Sequence, residues 1–135
     1  MEALGMIELN SISQGILTAD AVLKAANVGI MRAQPVCPGK YIVIVSGGVA
    51  DVKAAIAAGA EAAAEFLIDS ILIPRVHEDV LRAMNGCVDL TGVEALGVIE
   101  TFSLAQALLS ADAAAKSADV SLMEIRLGTD GRGVA

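Results

Sequence analysis

The chain has 135 residues, enough for one compact domain that buries roughly two thirds of the surface its unfolded form exposes, and too few for two full domains. Apolar residues make up 56% and aromatic residues only 2%, so the core must be built from Ala, Val, Ile and Leu in thin layers, and such a chain is expected to hide surface by oligomerising. Nine Lys and Arg, scattered, against sixteen Asp and Glu give a net charge of −7; this argues against a nucleic-acid partner, and charges interrupt every apolar run well before the roughly 18 residues of a membrane span.

In chain order, Ala3 to Leu9 is a short apolar run suited to a buried strand, and Ser11 to Ala26 carries the helical spacing Ile12, Ile16, Ala19, Leu23. No Lys or Arg precedes Lys24, so the charged front of a secretory signal is missing and a cytoplasmic, reducing setting is expected. Cys37 and Cys87 then read as separate thiols rather than a disulfide. Val28 to Val36 and Tyr41 to Val45 are strand candidates, and the four residues Cys37 to Lys40 between them predict an antiparallel hairpin with Cys37 at its tip. Pro35, Pro38 and Gly39 stiffen and tighten that loop.

Ser46-Gly47-Gly48 opens an Ala-rich helix to about Phe66, whose inner face is expected to be Val49, Val52, Ile56, Gly59, Ala60 and Ala63. The glycine pair lacks the spacing of a phosphate-binding loop. Ile68 to Pro74 is a fourth strand and Val76 to Met84 a short helix stopped at Asn85-Gly86. His77, the only histidine, stands at that helix start beside Glu78 and Asp79, where a capping role outweighs a catalytic one.

The chain then repeats itself at an offset of 92: Glu2 to Glu8 reappears as Glu94 to Glu100 with only Met6 and Val98 differing. The match runs on through Ser11 and Ser103, Gln14 and Gln106, Asp20 and Asp112, Lys24 and Lys116, and Val28 and Val120. A period this long signals a duplicated domain-sized unit rather than a solenoid. The expected division is a first unit 1–86, a linker 87–92 and an incomplete second unit 93–135, because nothing in the sequence corresponds to Ile44 through Gly86. The second sheet should therefore show an unpaired edge and an apolar face. Glu8 and Glu100 recur in register and read as a shared structural hydrogen bond. The order β-α-β-β-α-β-α is an α+β, split βαβ (ferredoxin-like variant) arrangement: one antiparallel sheet with helices on one face, the other face left to solvent or a partner.

The stretches "ALGMIEL", "DAVLKAANV" and "LIDSILIPRVHEDVL", with "ALGVIETFSLAQALLSADAAAKSADV" in the second copy, resemble the shell-protein (BMC) domain of bacterial microcompartments, protein-walled organelles that enclose enzymes. The tandem arrangement resembles the class in which three two-domain chains form a pseudohexameric tile, and "CPGK" resembles the propanediol-utilisation T type. The resemblance implies a structural protein rather than an enzyme, a homotrimer in a microcompartment shell beside other shell proteins, and encapsulated redox enzymes as further partners.

It also implies a [4Fe-4S] cluster held by three copies of Cys37 on the threefold axis, since a cubane takes four ligands and one chain offers one thiolate there. Cys37, Pro38, Gly39 and Lys40 of the first hairpin and Thr129, Asp130, Gly131 and Arg132 of the second would line the central pore, where glycine amides and Lys40 or Arg132 favour anions. Lys24, Lys116 and Arg75 of "IPRVH" would lie at tile edges. From the residues alone Cys37 reads first as a packed thiol, a preference the resemblance reverses, and two alternatives stand beside the cluster: a tile with an open metabolite pore, and a small oligomeric ligand-binding regulator. Cys87 is expected to be inert.

Overall fold

The computed structural model describes residues 2–89 and 91–135; Met1, and Leu90 within the expected linker, lie outside the described residues. The first copy folds as β1 (Ala3–Leu9), α1 (Ile12–Ala25), β2 (Gly29–Val36), β3 (Lys40–Gly47), α2 (Val49–Ala63), a turn of 3-10 helix (Ala64–Phe66), β4 (Leu67–Ile73) and α3 (Glu78–Asn85). The second follows as β5 (Glu100–Thr101), α4 (Leu104–Ser117), β6 (Arg126–Thr129) and β7 (Arg132–Val134). Each first helix begins at a serine: Ser11 Oγ accepts from Gln14 N, and Ser103 Oγ from Gln106 N, the side chain taking up an N–H that the helix cannot satisfy itself.

The strands of the first sheet run antiparallel in the order β2-β3-β1-β4, and those of the second in the order β5-β7-β6. The second is the first without its β4. The register repeats too: Glu8 faces Ile42 in the first sheet, and Glu100 faces Val134 in the second.

Strand alternation sends Ala3, Ile7, Leu9, Tyr41, Val43 and Val45 towards α1 and α2. The contact is close because small residues make room. A Cβ on Gly15 would fall 2.3 Å from the Tyr41 ring. In the second copy those two positions are Ala107 and Gly133, where a Cβ on Gly133 would fall 2.4 Å from that of Ala107. The bulk has moved from strand to helix while the spacing is kept.

The opposite sheet face carries Leu4, Met6, Ile42, Ile44, Ile71 and Ile73. The sequence pattern leaves this face to solvent or a partner; the structure gives it to α3 and, from the second copy, α4, whose Leu104, Leu108 and Ala111 complete a single core with it. Helices therefore cover both faces, and the two copies share a hydrophobic core. Full burial of each leucine contributes roughly 1.5–3 kcal/mol.

Two inner-face expectations change. In α1 the buried residues are Gly15, Thr18, Ala19 and Val22, while Ile12, Ile16 and Leu23 face outward. The helix has two apolar stripes, and close approach to α2 and Tyr41 selects the one with smaller side chains. In α2, Val52, Ala55, Ile56, Gly59 and Ala63 are buried, and Val49 is exposed because it lies at the helix entry.

Candidate functional site

The two hairpin tips lie side by side. Lys40, opening β3, donates from Nζ to the Gly131 carbonyl at 2.8 Å, and a Cβ on Gly131 would sit 3.0 Å from Pro38 Cδ. Behind them a Cβ on Gly128 would meet Val36 Cβ at 2.8 Å, so backbone of the second hairpin lies on the first. Pro38, Lys40 and Gly131, expected from sequence to line one pore, are thus brought together within one chain.

The two tips differ in build. In the first, Val36 pairs with Lys40 across Cys37, Pro38 and Gly39, and all three are exposed. The Cys37–Pro38 peptide is cis, and Gly39 takes a positive φ of 71°, which costs glycine nothing. In the second, Thr129 pairs with Arg132, one residue out of step with the first copy. Asp130 and Gly131 both take positive φ, 50° and 81°, the signature of a tight two-residue hairpin turn. Thr129 is thereby drawn into β6, and Cys37 stands at the tip of the first hairpin with no thiol opposite it in the second.

Among the described residues no three Cys, His, Asp or Glu side chains are grouped so as to hold a metal ion. Cys37 is nonetheless a free, exposed thiol at a tip, a fit for a group shared between chains. Cys87 is likewise free and exposed, with only a long contact of 3.9 Å to the Val88 carbonyl.

Behind the tips lies the glutamate expected to make a structural hydrogen bond, with partners that the sequence did not reveal. Glu8, fully buried on β1, accepts from Lys40 Nζ at 2.8 Å through Oε1. Its Oε2 accepts from the backbone N–H groups of Leu104 and Ala105 at 2.8 and 3.2 Å. A carboxylate at a helix N-terminus meets both the free N–H groups and the positive end of the helix dipole. Glu8 therefore ties the first sheet, the first hairpin and the second copy together, and Lys40 is neutralised rather than presented as a bare cation. The repeat of the glutamate in both copies was the visible signal; its reach across to α4 was not.

Two further carboxylates join the copies. Asp69 accepts from Ser103 Oγ at 2.7 Å and Gln106 Nε2 at 3.0 Å. Asp112, buried in α4, accepts from the His77 backbone N–H at 2.8 Å and from Lys116 at 2.6 Å. His77 does cap α3, its Nδ1 accepting from Asp79 N at 3.2 Å.

In the second copy the glutamate–cation pair recurs at the surface. Arg132 donates to Glu100 Oε1 at 2.7 Å and lies 5.6 Å from the Phe102 ring centroid, in cation–π range. The Glu100 carboxylate holds the Arg132 guanidinium above the usual arginine range, first through its hydrogen bond and then through its charge. Of the expected edge residues, Lys24 is exposed and paired with Asp20 at 2.6 Å, Lys116 is half-exposed, and Arg75 is exposed at a positive φ of 52° after Pro74.

Comparison with known proteins matches the BMC domain over residues 3–76 and 95–135, the two copies seen in the fold. Over 126 residues the chain is 37% identical to the bacterial microcompartment shell protein PduT of Citrobacter freundii, covering 93% of this chain and 68% of that protein. It is 43% identical over 85 residues to the shell protein PduA of Salmonella typhimurium, covering 62% of this chain and 90% of that one. A crystal structure of a microcompartment protein from Desulfitobacterium hafniense superposes with a TM-score of 0.85 at 48% identity, covering 99% of this chain and 76% of that one.

Proposed function

The chain belongs to the BMC-domain family of bacterial microcompartment shell proteins, a structural rather than enzymatic family, and from that premise we propose that three chains form a tile with the hairpin tips at its centre and Cys37 on its axis. The unit 1–86, the linker 87–92 and the unit 93–135 supply two of the six segments around that centre. Cys37, Pro38, Gly39 and Lys40 with Thr129, Asp130, Gly131 and Arg132 line it, and Lys24, Arg75 and Lys116 face neighbouring tiles and other shell proteins.

The observation that carries this reading is the side-by-side packing of the two tips, Lys40 on Gly131. Units joined in that way, repeated about an axis, gather their tips around it. Lys40 is engaged by Glu8 and Arg132 by Glu100, so attraction of anions at such a centre falls chiefly to loop N–H groups. Three Cys37 thiolates would hold a [4Fe-4S] cluster, leaving one iron for a ligand from elsewhere. When bound, the cluster supplies one-electron transfer, for redox enzymes enclosed by the shell.

The test is anaerobic purification and iron–sulfide reconstitution, followed by visible absorbance and electron paramagnetic resonance, on the natural chain and on Cys37→Ser. A cluster signal in the first and none in the second is expected. Equal signals in both, or none in either, leave the tile with an open pore. Electron microscopy of concentrated protein tests the tile itself: flat hexagonal sheets support it, and discrete small particles favour an oligomeric ligand-binding regulator.

A further inference from the structure

Between the segments 95–99 and 120–124 of the second copy runs a groove of about 690 Å³, floored by Ala111 and Ala114 of α4. The matching place in the first copy is filled. There the far half of β3 lies between the two corresponding segments: Val45 and Ile44 pair with Gly5 and Met6 on one side and with Ile30 and Arg32 on the other. α2 then crosses the sheet so closely that a Cβ on Gly5 would fall 2.6 Å from Ile56 Cγ1 and 2.7 Å from Val52 Cγ1.

In the second copy the pairing reaches Ala135, which exchanges backbone hydrogen bonds with Ile99 at 2.7 and 2.8 Å. Beyond that point, among the described residues, the backbone of 95–98 and of Ser121 and Leu122 makes no backbone hydrogen bond. Gly97 stands where the first copy has Gly5, yet a Cβ on Gly97 would meet nothing within 4 Å. Ile99 is 37% exposed, whereas its counterpart Ile7 is 0% exposed beneath α2. Unpaired backbone on two flanks, beside apolar side chains, is a template for one more strand.

We propose that this groove is a docking site for a strand–helix segment of a separate polypeptide. Its extended part supplies four residues, one opposite each of 95–98, and runs antiparallel to both flanks, as 44–47 do in the first copy. A β-branched side chain at the place of Val45 points to the α4 side, over Ala111 and Ala114. A small-residue helix follows and seats a large aliphatic side chain on Gly97, as Ile56 sits on Gly5. Main-chain hydrogen bonds on both flanks supply the affinity, and the close pass over Gly97 supplies the selectivity. The site is built by the second copy alone, so the proposal does not depend on the tile.

The probe is a synthetic peptide of residues 44–63 with a dye at its C-terminus, titrated into the full chain by fluorescence anisotropy, with hydrogen exchange locating the contact. Saturable binding that protects the amides of 95–98 and 121–124 is expected. Gly97→Val places its side chain in open space in the free chain, which a thermal melt checks, and should weaken binding roughly tenfold or more by blocking the helix. A peptide carrying Val45→Pro lacks one ladder donor and should lose affinity for the unaltered chain. Absence of saturable binding overturns the proposal, as does binding that both substitutions leave unchanged, since that is apolar adhesion. Protection of the same amides on concentrating the chain alone would assign the groove to a second copy and overturn it too.

Discussion

α1 and α4 are the same helix twice: fourteen residues each, capped by Ser11 and Ser103 and closed by Lys24 and Lys116 on Asp20 and Asp112. Yet α4 buries its large aliphatic side chains, while α1 buries its small ones and leaves the large ones in solvent. Local sequence decides that each segment is a helix and where it starts. What decides which stripe is covered is the neighbour. α1 has only α2 and its own sheet, whereas α4 has a second, complete sheet to lie on.

The largest difference between matched positions should appear at the two glutamates. Removing Glu8 leaves Lys40 and the N-terminus of α4 without a buried partner, and Glu8→Ala should lower unfolding stability by about 4 kcal/mol in urea titrations. Glu100→Ala, at the exposed twin, should leave the isolated chain's unfolding midpoint unchanged. Equal losses at both would mean that the two pairs are equivalent despite their surroundings.

Next in size are the helix stripes. Leu108→Ala should cost about 3 kcal/mol through lost burial and the cavity it leaves, whereas Ile16→Ala should barely move the unfolding midpoint of dilute protein. A marked concentration dependence of the Ile16→Ala effect would show this stripe working between chains.

Smallest is the aspartate pair. Asp112→Ala removes the carboxylate that accepts from His77 N and Lys116 and should cost about 1.5 kcal/mol. Asp20→Ala breaks only an exposed pair with Lys24, of a kind that contributes little. Thermal melts of the two variants side by side read the difference.

Much of this was legible in the sequence because the duplication could be read twice. The offset of 92 anticipated that the second copy repeats the opening elements of the first, and the four-residue link from Cys37 to Lys40 placed Cys37 at a hairpin tip. What could not be read was the partner of each surface. Ile12, Ile16 and Leu23 form a good helical stripe, but periodicity gives two stripes in α1 and does not say which one packs. Glu8 reads as structural from its repetition, but its target is the N-terminus of a helix 96 residues away. Thr129 aligns with Cys37 in sequence, yet an Asp-Gly turn with two positive φ angles shortens the second loop and draws it into the strand.

Whether three chains gather their Cys37 tips at one centre is read by native mass spectrometry of anaerobically reconstituted protein. A three-chain species carrying the mass of one [4Fe-4S] cluster is expected, with the cluster lost and the three-chain species retained in Cys37→Ser. A cluster bound to single chains, or one that persists in Cys37→Ser, would contradict it.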